Sequence, residues 1–180
     1  MSTPSYSRDF EQDALPHLNN AYNLARWLTG NDQDAEDIVQ EAYLRAFKFY
    51  RSFRGGDVRP WLLTIVRNVY YNSLQQNPTG RTVEFEEDAV SVDPCFANPE
   101  EILIQNSSGA LLRRAIEMLP TRSREMLILR ELDGMSYKQI SNVVGVPTGT
   151  VMSRLSRARA SLRHVLTDLM SGGPQTTAKE

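Results

Sequence analysis

Residues 136–163 read SYKQISNVVGVPTGTVMSRLSRARASLR, and this stretch decides the fold. It predicts two helices joined by a tight turn. Ser136 stands where a helix N-cap belongs, and Gln139 follows three residues later, the spacing of a capping box. Gly145 ends the first helix, Pro147 follows, and Thr148 is positioned to cap the second. On that second helix Val151, Leu155, Ala158, Leu162 and Val165 recur at alternating steps of four and three, which makes one face apolar. Ser153, Arg154, Ser156, Arg157, Ala160 and Arg163 fall largely on the other side. A helix-turn-helix places such a second helix in the major groove of DNA.

The composition permits this. The chain has 180 residues, of which 41% are apolar, enough for one or two small globular domains. No apolar run approaches the ~18 residues of a membrane-spanning helix. The first residues, MSTPSYSRDFEQD, lack the basic and apolar regions of a secretory signal. A lone cysteine, Cys95, excludes an internal disulfide and a cysteine-cluster zinc site. These features predict a cytoplasmic protein.

A net charge of −2 is unexpected for a DNA binder until the chain is divided. Residues 109–166 hold 10 Lys/Arg against 4 Asp/Glu, whereas residues 78–106 hold 1 against 7. An acidic middle thus hides a basic carboxy-terminal block, and partner choice follows the local field.

Upstream, Leu18, Ala21, Ala25 and Leu28 form a helical stripe that Gly30 ends, with Pro16 marking a kink or a helix start. Asn31 and Asp32 are N-cap residues for a helix with Ala35, Ile38, Val39, Ala42, Ala46 and Phe47 on one face. Asp34, Asp37, Glu41 and Arg45 lie opposite. Gly55 and Gly56 break the chain, and Pro60 opens a helix with Leu62, Ile65, Val66 and Val69 apolar. The prediction is an all-α protein of two small domains. Residues 8–77 form the first, 78–98 a flexible acidic linker, 99–170 the helix-turn-helix domain, and 171–180 a disordered tail. In the second domain, helices are expected from residue 99 to 119 and from Thr121 to Leu132.

Three segments together resemble the extracytoplasmic-function (ECF) group of bacterial sigma factors. The first is Asp34-Ala35-Glu36-Asp37-Ile38-Val39-Gln40-Glu41-Ala42, the second Pro60-Trp61-Leu62-Leu63-Thr64-Ile65-Val66-Arg67-Asn68. The third combines Leu119-Pro120, Arg124-Glu125 and Gly134-Met135-Ser136-Tyr137 with the run from Gly149 to Arg159. The resemblance covers roughly residues 10–168. Met152 departs from it, standing where many members carry Lys, and Gly55-Gly56-Asp57-Val58 lies where members vary.

The resemblance implies a two-part promoter reader that is not an enzyme. Thr148, Thr150, Ser153, Arg154, Arg157 and Arg159 would contact the −35 element, with Arg159 and Arg163 better suited to phosphate or polymerase. The segment from Phe47 to Tyr71 holds 7 of the 15 aromatic residues, interleaved with arginines, a pattern suited to single-stranded DNA. The resemblance makes it the element that traps an unpaired −10 base, through Arg54, Arg59, Trp61, Arg67, Asn68 and Asn72, with the loop from Ser52 to Arg59 as pocket wall. Core packing is the competing expectation for Phe47, Trp61 and Tyr70. Asp34, Asp37, Ile38, Gln40, Glu41, Leu44 and Arg45 would dock on the clamp helices of the RNA polymerase largest subunit, with further contacts to the flap. The remaining expectations are an anti-sigma factor as partner, no cofactor, no metal, no small-molecule substrate and no stable homo-oligomer. The linker, roughly 25 Å as a coil and about 70 Å when extended, would span the two promoter elements. Two other readings are a dimeric operator-binding regulator and a hydrolytic or metal-dependent enzyme. The first lacks a spare apolar helix for dimerisation, the second a nucleophile–base pair or ligand cluster.

Overall fold

The computed structural model describes residues 5–76 and 108–171, and all regular structure within them is helical. The amino-terminal half holds α1 (Ser5–Ala14), a 3₁₀ turn (Leu15–His17), α2 (Leu18–Thr29), α3 (Asp32–Phe49), a second 3₁₀ turn (Tyr50–Ser52) and α4 (Val58–Gln76). The carboxy-terminal half holds α5 (Ser108–Glu117), α6 (Thr121–Leu127), a π-turn (Ile128–Leu132), α7 (Tyr137–Val144) and α8 (Thr148–Met170). The expected linker, most of the helix expected from residue 99, and the tail from residue 172 lie outside the described residues.

A few side chains set the helix ends. Asn31 is extended, and its carboxamide oxygen accepts the Asp34 amide at 2.8 Å, so Asn31 is the N-cap and Asp32 the first helical residue. Gly30 closes α2 with φ at 84°, a conformation that costs glycine little. The capping box forms as expected. Ser136 Oγ accepts the Gln139 amide at 3.2 Å, and Gln139 Oε1 accepts the Ser136 amide at 2.8 Å.

Three boundaries differ from expectation. Thr148 does not cap α8. Pro147, extended at ψ 150°, takes that position with no side-chain cap, and Thr148 begins the helix. Pro60 does not open α4, which starts at Val58. Proline is tolerated there because amides of the first turn lack intrahelical partners. The helix expected over Thr121–Leu132 changes pitch at Ile128, where the Asp133 amide bonds back five residues to the Ile128 carbonyl at 3.0 Å.

One hydrophobic core runs through both halves. Leu24, Leu28, Ala42, Leu62, Leu63 and Val66 supply it from one side, and Leu119, Met126, Ile128, Leu129, Ile140 and Leu155 from the other. Helix α2 packs on α6, and α4 on α7. Leu18 and Phe47, expected in apolar stripes, are 42% exposed. Arg124 is fully buried and donates to backbone carbonyls. It donates to Glu117 at 2.7 Å, to Leu119 at 2.9 Å and to Ile116 at 3.3 Å, which ties α6 to the end of α5. Its remaining terminal nitrogen reaches the Trp27 carbonyl of α2 at 2.9 Å, across the two halves.

Candidate nucleic-acid interface

Helix α8 turns Val151, Leu155 and Ala158 into the core, while Leu162 and Val165 pack at its edge. That apolar stripe fixes which residues face out. Thr148, Ser153 and Arg157 are exposed, and Thr150 and Arg154 are half-buried. All five lie on the first turns of α8, beyond a turn held by Gly145 (φ 75°) and by Ser141 Oγ donating to the Val146 carbonyl at 2.5 Å. Arg159 is directed elsewhere. Its guanidinium bonds Glu131 Oε1 at 2.7 Å and 3.1 Å, joining α8 to the π-turn. Arg130 from the same turn donates to the Met135 carbonyl at 2.7 Å and stacks on Tyr137, so the turn braces the start of α7.

The −10 candidates divide into two groups. Arg54, Asn68 and Asn72 are exposed. Trp61 is half-buried against Phe53, with ring centroids 5.0 Å apart, and Tyr50 completes the aromatic cluster beside the loop at Gly55 and Gly56. Tyr70 is buried, as the core alternative expects, whereas Phe47 is not. Arg59 and Arg67 turn toward the carboxy-terminal half. Arg59 donates to the Asp133 carbonyl at 2.9 Å. Arg67 donates to Glu125 Oε1 at 2.7 Å, and the Tyr71 hydroxyl to Glu125 Oε2 at 3.3 Å. The Arg67 guanidinium also lies 4.6 Å from the Tyr71 ring centre, because residues four apart share a helix face.

Glu125 is buried, and burial pushes its carboxyl above the usual carboxylate range against the pull of Arg67 and Tyr71. The same cause raises Tyr71. Asp133 is raised by burial too. One of its oxygens accepts Asn20 Nδ2 at 2.7 Å, and the other, buried, has no hydrogen-bond partner. Gln139 Nε2 adds a bond to Asp57 at 2.7 Å. Sequence reasoning misses Glu125, Asp133, Asn20 and Asp57 as site residues. The available signal was an acid at position 125 directly before the apolar run Met126–Leu129.

Helix α3 exposes Asp34, Asp37, Gln40 and Leu44, with Glu41 and Arg45 half-exposed and paired at 2.6 Å. Ile38 does not share this outer face. It is 7% exposed, held in the core because it lies on the Ala35–Ala42 stripe. Among the described residues there is no group of three His, Cys, Asp or Glu that could hold a metal, and no helix is long and apolar enough to cross a membrane.

Comparison with known proteins agrees with this arrangement. Residues 15–78 match Sigma-70 region 2, and residues 109–162 match Sigma-70 region 4. The chain is 35% identical over 150 residues to the ECF RNA polymerase sigma factor SigE of Mycolicibacterium smegmatis, covering 83% of this chain and 58% of that one. It is 34% identical over 138 residues to the ECF RNA polymerase sigma-E factor of Escherichia coli, covering 72% of each. Among solved structures, the sigma factor RpoE of Bartonella quintana, in complex with the anti-sigma factor NepR, superposes with a TM-score of 0.68 at 29% identity, over 89% of this chain and 98% of that one. The amino-terminal aromatic and acidic helices and the carboxy-terminal helix-turn-helix are therefore regions 2 and 4 of one molecule, and the chain belongs to the ECF sigma factors of the sigma-70 family, which are transcription initiation factors.

Proposed function

We propose that this chain binds core RNA polymerase through the exposed face of α3, reads a −35 element with the first turns of α8, and captures an unpaired −10 base with the α4 segment. One observation carries the reading: a single chain joins a helix-turn-helix, the motif whose second helix suits a major groove, to an aromatic, arginine-rich helix of the kind that suits a single strand. Arginine on α8 supplies the strongest base discrimination, since a bidentate pair with guanine is worth about 1–3 kcal/mol. Thr148, Thr150, Ser153, Arg154 and Arg157 are the −35 set, with Arg159 bracing the helix through Glu131 and reaching the DNA only if that pair opens. Arg54, Trp61, Asn68 and Asn72 form the accessible part of the −10 set, and Arg59 and Arg67 complete it. Asp34, Asp37, Gln40, Glu41, Leu44 and Arg45 form the polymerase face, toward the clamp helices and flap. Charge complementarity there governs partner choice and on-rate. The B. quintana relative is held by an anti-sigma factor, and the same control is proposed for this chain. It acts without catalysing a reaction and without a cofactor or metal, in the cytoplasm, as one copy per polymerase.

The test is run-off transcription with core polymerase and a promoter library. Arg154→Ala with Arg157→Ala should abolish start-site choice while leaving polymerase binding intact. Asp37→Lys with Glu41→Lys should weaken polymerase binding and leave the circular dichroism spectrum unchanged. Wild-type chain that confers no start-site choice would overturn the proposal.

A further inference from the structure

One long apolar side chain on α8 has no place in the core. Met152 is 54% exposed. It follows the buried Val151, which turns it about 100° away from the stripe of Val151, Leu155 and Ala158. Its neighbours on the helix surface are the residues three back and four on, Gly149 and Ser156, both small and both exposed. Nothing lies within 4 Å of where a Cβ on Gly149 would stand. Ser153 beside it donates its hydroxyl to the Thr150 carbonyl at 3.0 Å. Arg159, two turns further on the same side, is held by Glu131 at 2.7 Å. A single apolar side chain at a surface is ordinary. Here its place decides, one residue from Ser153 and four from Thr148 of the −35 set.

A thioether has no charge and no donor to offer a phosphate. Unbranched and polarizable, it adapts instead to small apolar surfaces. In the major groove every base edge shows hydrogen-bonding groups, and thymine alone adds an apolar one, its C5 methyl. We propose that Met152 selects thymine at one position of the −35 element by packing on that methyl. This rests on the reading of the first turns of α8 as the −35 reader. Covering one methyl gives roughly a four-fold preference, at the low end of what an arginine–guanine pair provides. Met152 therefore tunes the choice among related −35 elements, while Arg154 and Arg157 carry the larger discrimination. A lysine in its place would trade the methyl for a phosphate, raising affinity for all sequences alike and steepening the dependence on salt.

Deoxyuridine pairs as thymine does and lacks only the C5 methyl, so it isolates this contact. The full chain with core polymerase first selects promoters from the library of the transcription assay. Each −35 thymine of a selected promoter, on either strand, is then replaced in turn by deoxyuridine, and holoenzyme affinity is measured. One of these replacements should weaken wild-type binding about four-fold. At that position Met152→Ala should bind the thymine and deoxyuridine promoters equally, and Met152→Leu should keep most of the preference. Met152→Lys should lose the preference and steepen the slope of log affinity against log salt by about one. Met152 lies outside the buried core, so all three variants should fold as the wild type does, with unchanged circular dichroism. A holoenzyme whose start-site choice depends on Arg154 and Arg157 but that feels no deoxyuridine replacement overturns the role of Met152 and leaves the −35 reading of α8 standing. So does a replacement that Met152→Ala feels as strongly as wild type. Wild type with no start-site choice overturns that reading, and the thymine contact with it.

Discussion

Glu125 has no business in an apolar helix unless another element answers it, and Arg67 and Tyr71 of α4 do so. Removing one partner of such a buried pair leaves the other charge uncompensated, at a cost of about 3–5 kcal/mol. Its pH dependence has a definite sign. The folded chain holds the Glu125 proton more tightly than an exposed carboxylate would, because of burial. The group's stabilising contribution is therefore full below the ordinary carboxylate value and lost as pH rises through the raised one. Urea midpoints of wild type, relative to Glu125→Gln, should fall from pH 5 upward, while Asp133, also raised by burial and common to both proteins, cancels in the comparison. A relative midpoint that rises with pH would mean that Arg67 outweighs burial. At Ser136 the expectation is simpler. Ser136→Ala loses the cap on α7 and should lower stability by about 1 kcal/mol in urea denaturation.

Among the elements, α7 and α8 are readable from sequence because their determinants are local. Ser136 and Gln139 lie three residues apart, and the Val151–Leu155–Ala158 stripe repeats with the helix period. The start of α8 is misread because threonine is a good cap in general, whereas here Pro147 already holds the extended backbone that the cap position requires. The π-turn at Ile128–Leu132 carries no local signature. Its five-residue ring depends on how Ile128 and Leu129 pack in the core. Leu155 is the central anchor of α8, 1% exposed. Leu155→Ala should cost about 2–5 kcal/mol. Thermal denaturation should register it as a clear loss of melting temperature, with both halves unfolding together because they share one core. An unchanged melting temperature would place the core of this half elsewhere.

For the whole molecule, composition and motif order forecast two helical units and their family. They do not forecast the seam between the halves. Its bonds join residues 54 to 113 positions apart, and no periodicity or spacing within one helix predicts which acid will meet which arginine. Arg59 and Arg67 read as strand contacts from their own helix, while their partners in the fold come from the other half. The continuous core makes the chain one cooperative unit. Both tryptophans, Trp27 and Trp61, lie in the amino-terminal half, so fluorescence reports that half alone and far-ultraviolet circular dichroism reports both. The two urea transitions should coincide in wild type and separate in Asn20→Asp, which sets a second acid against Asp133. Separate transitions in wild type would show that the halves unfold independently.

The seam also imposes an order of events on every newly made copy. Glu125 is added 54 residues after Tyr71, which at a ribosomal rate of about 5–20 residues per second is a delay of roughly 3–11 s. During that interval the growing polypeptide has its arginine-rich helix but not the acid that pairs with it. The amino-terminal half is thus made for several seconds with Arg67 and Tyr71 lacking their acid, and the seam forms only as the last third of the chain leaves the ribosome.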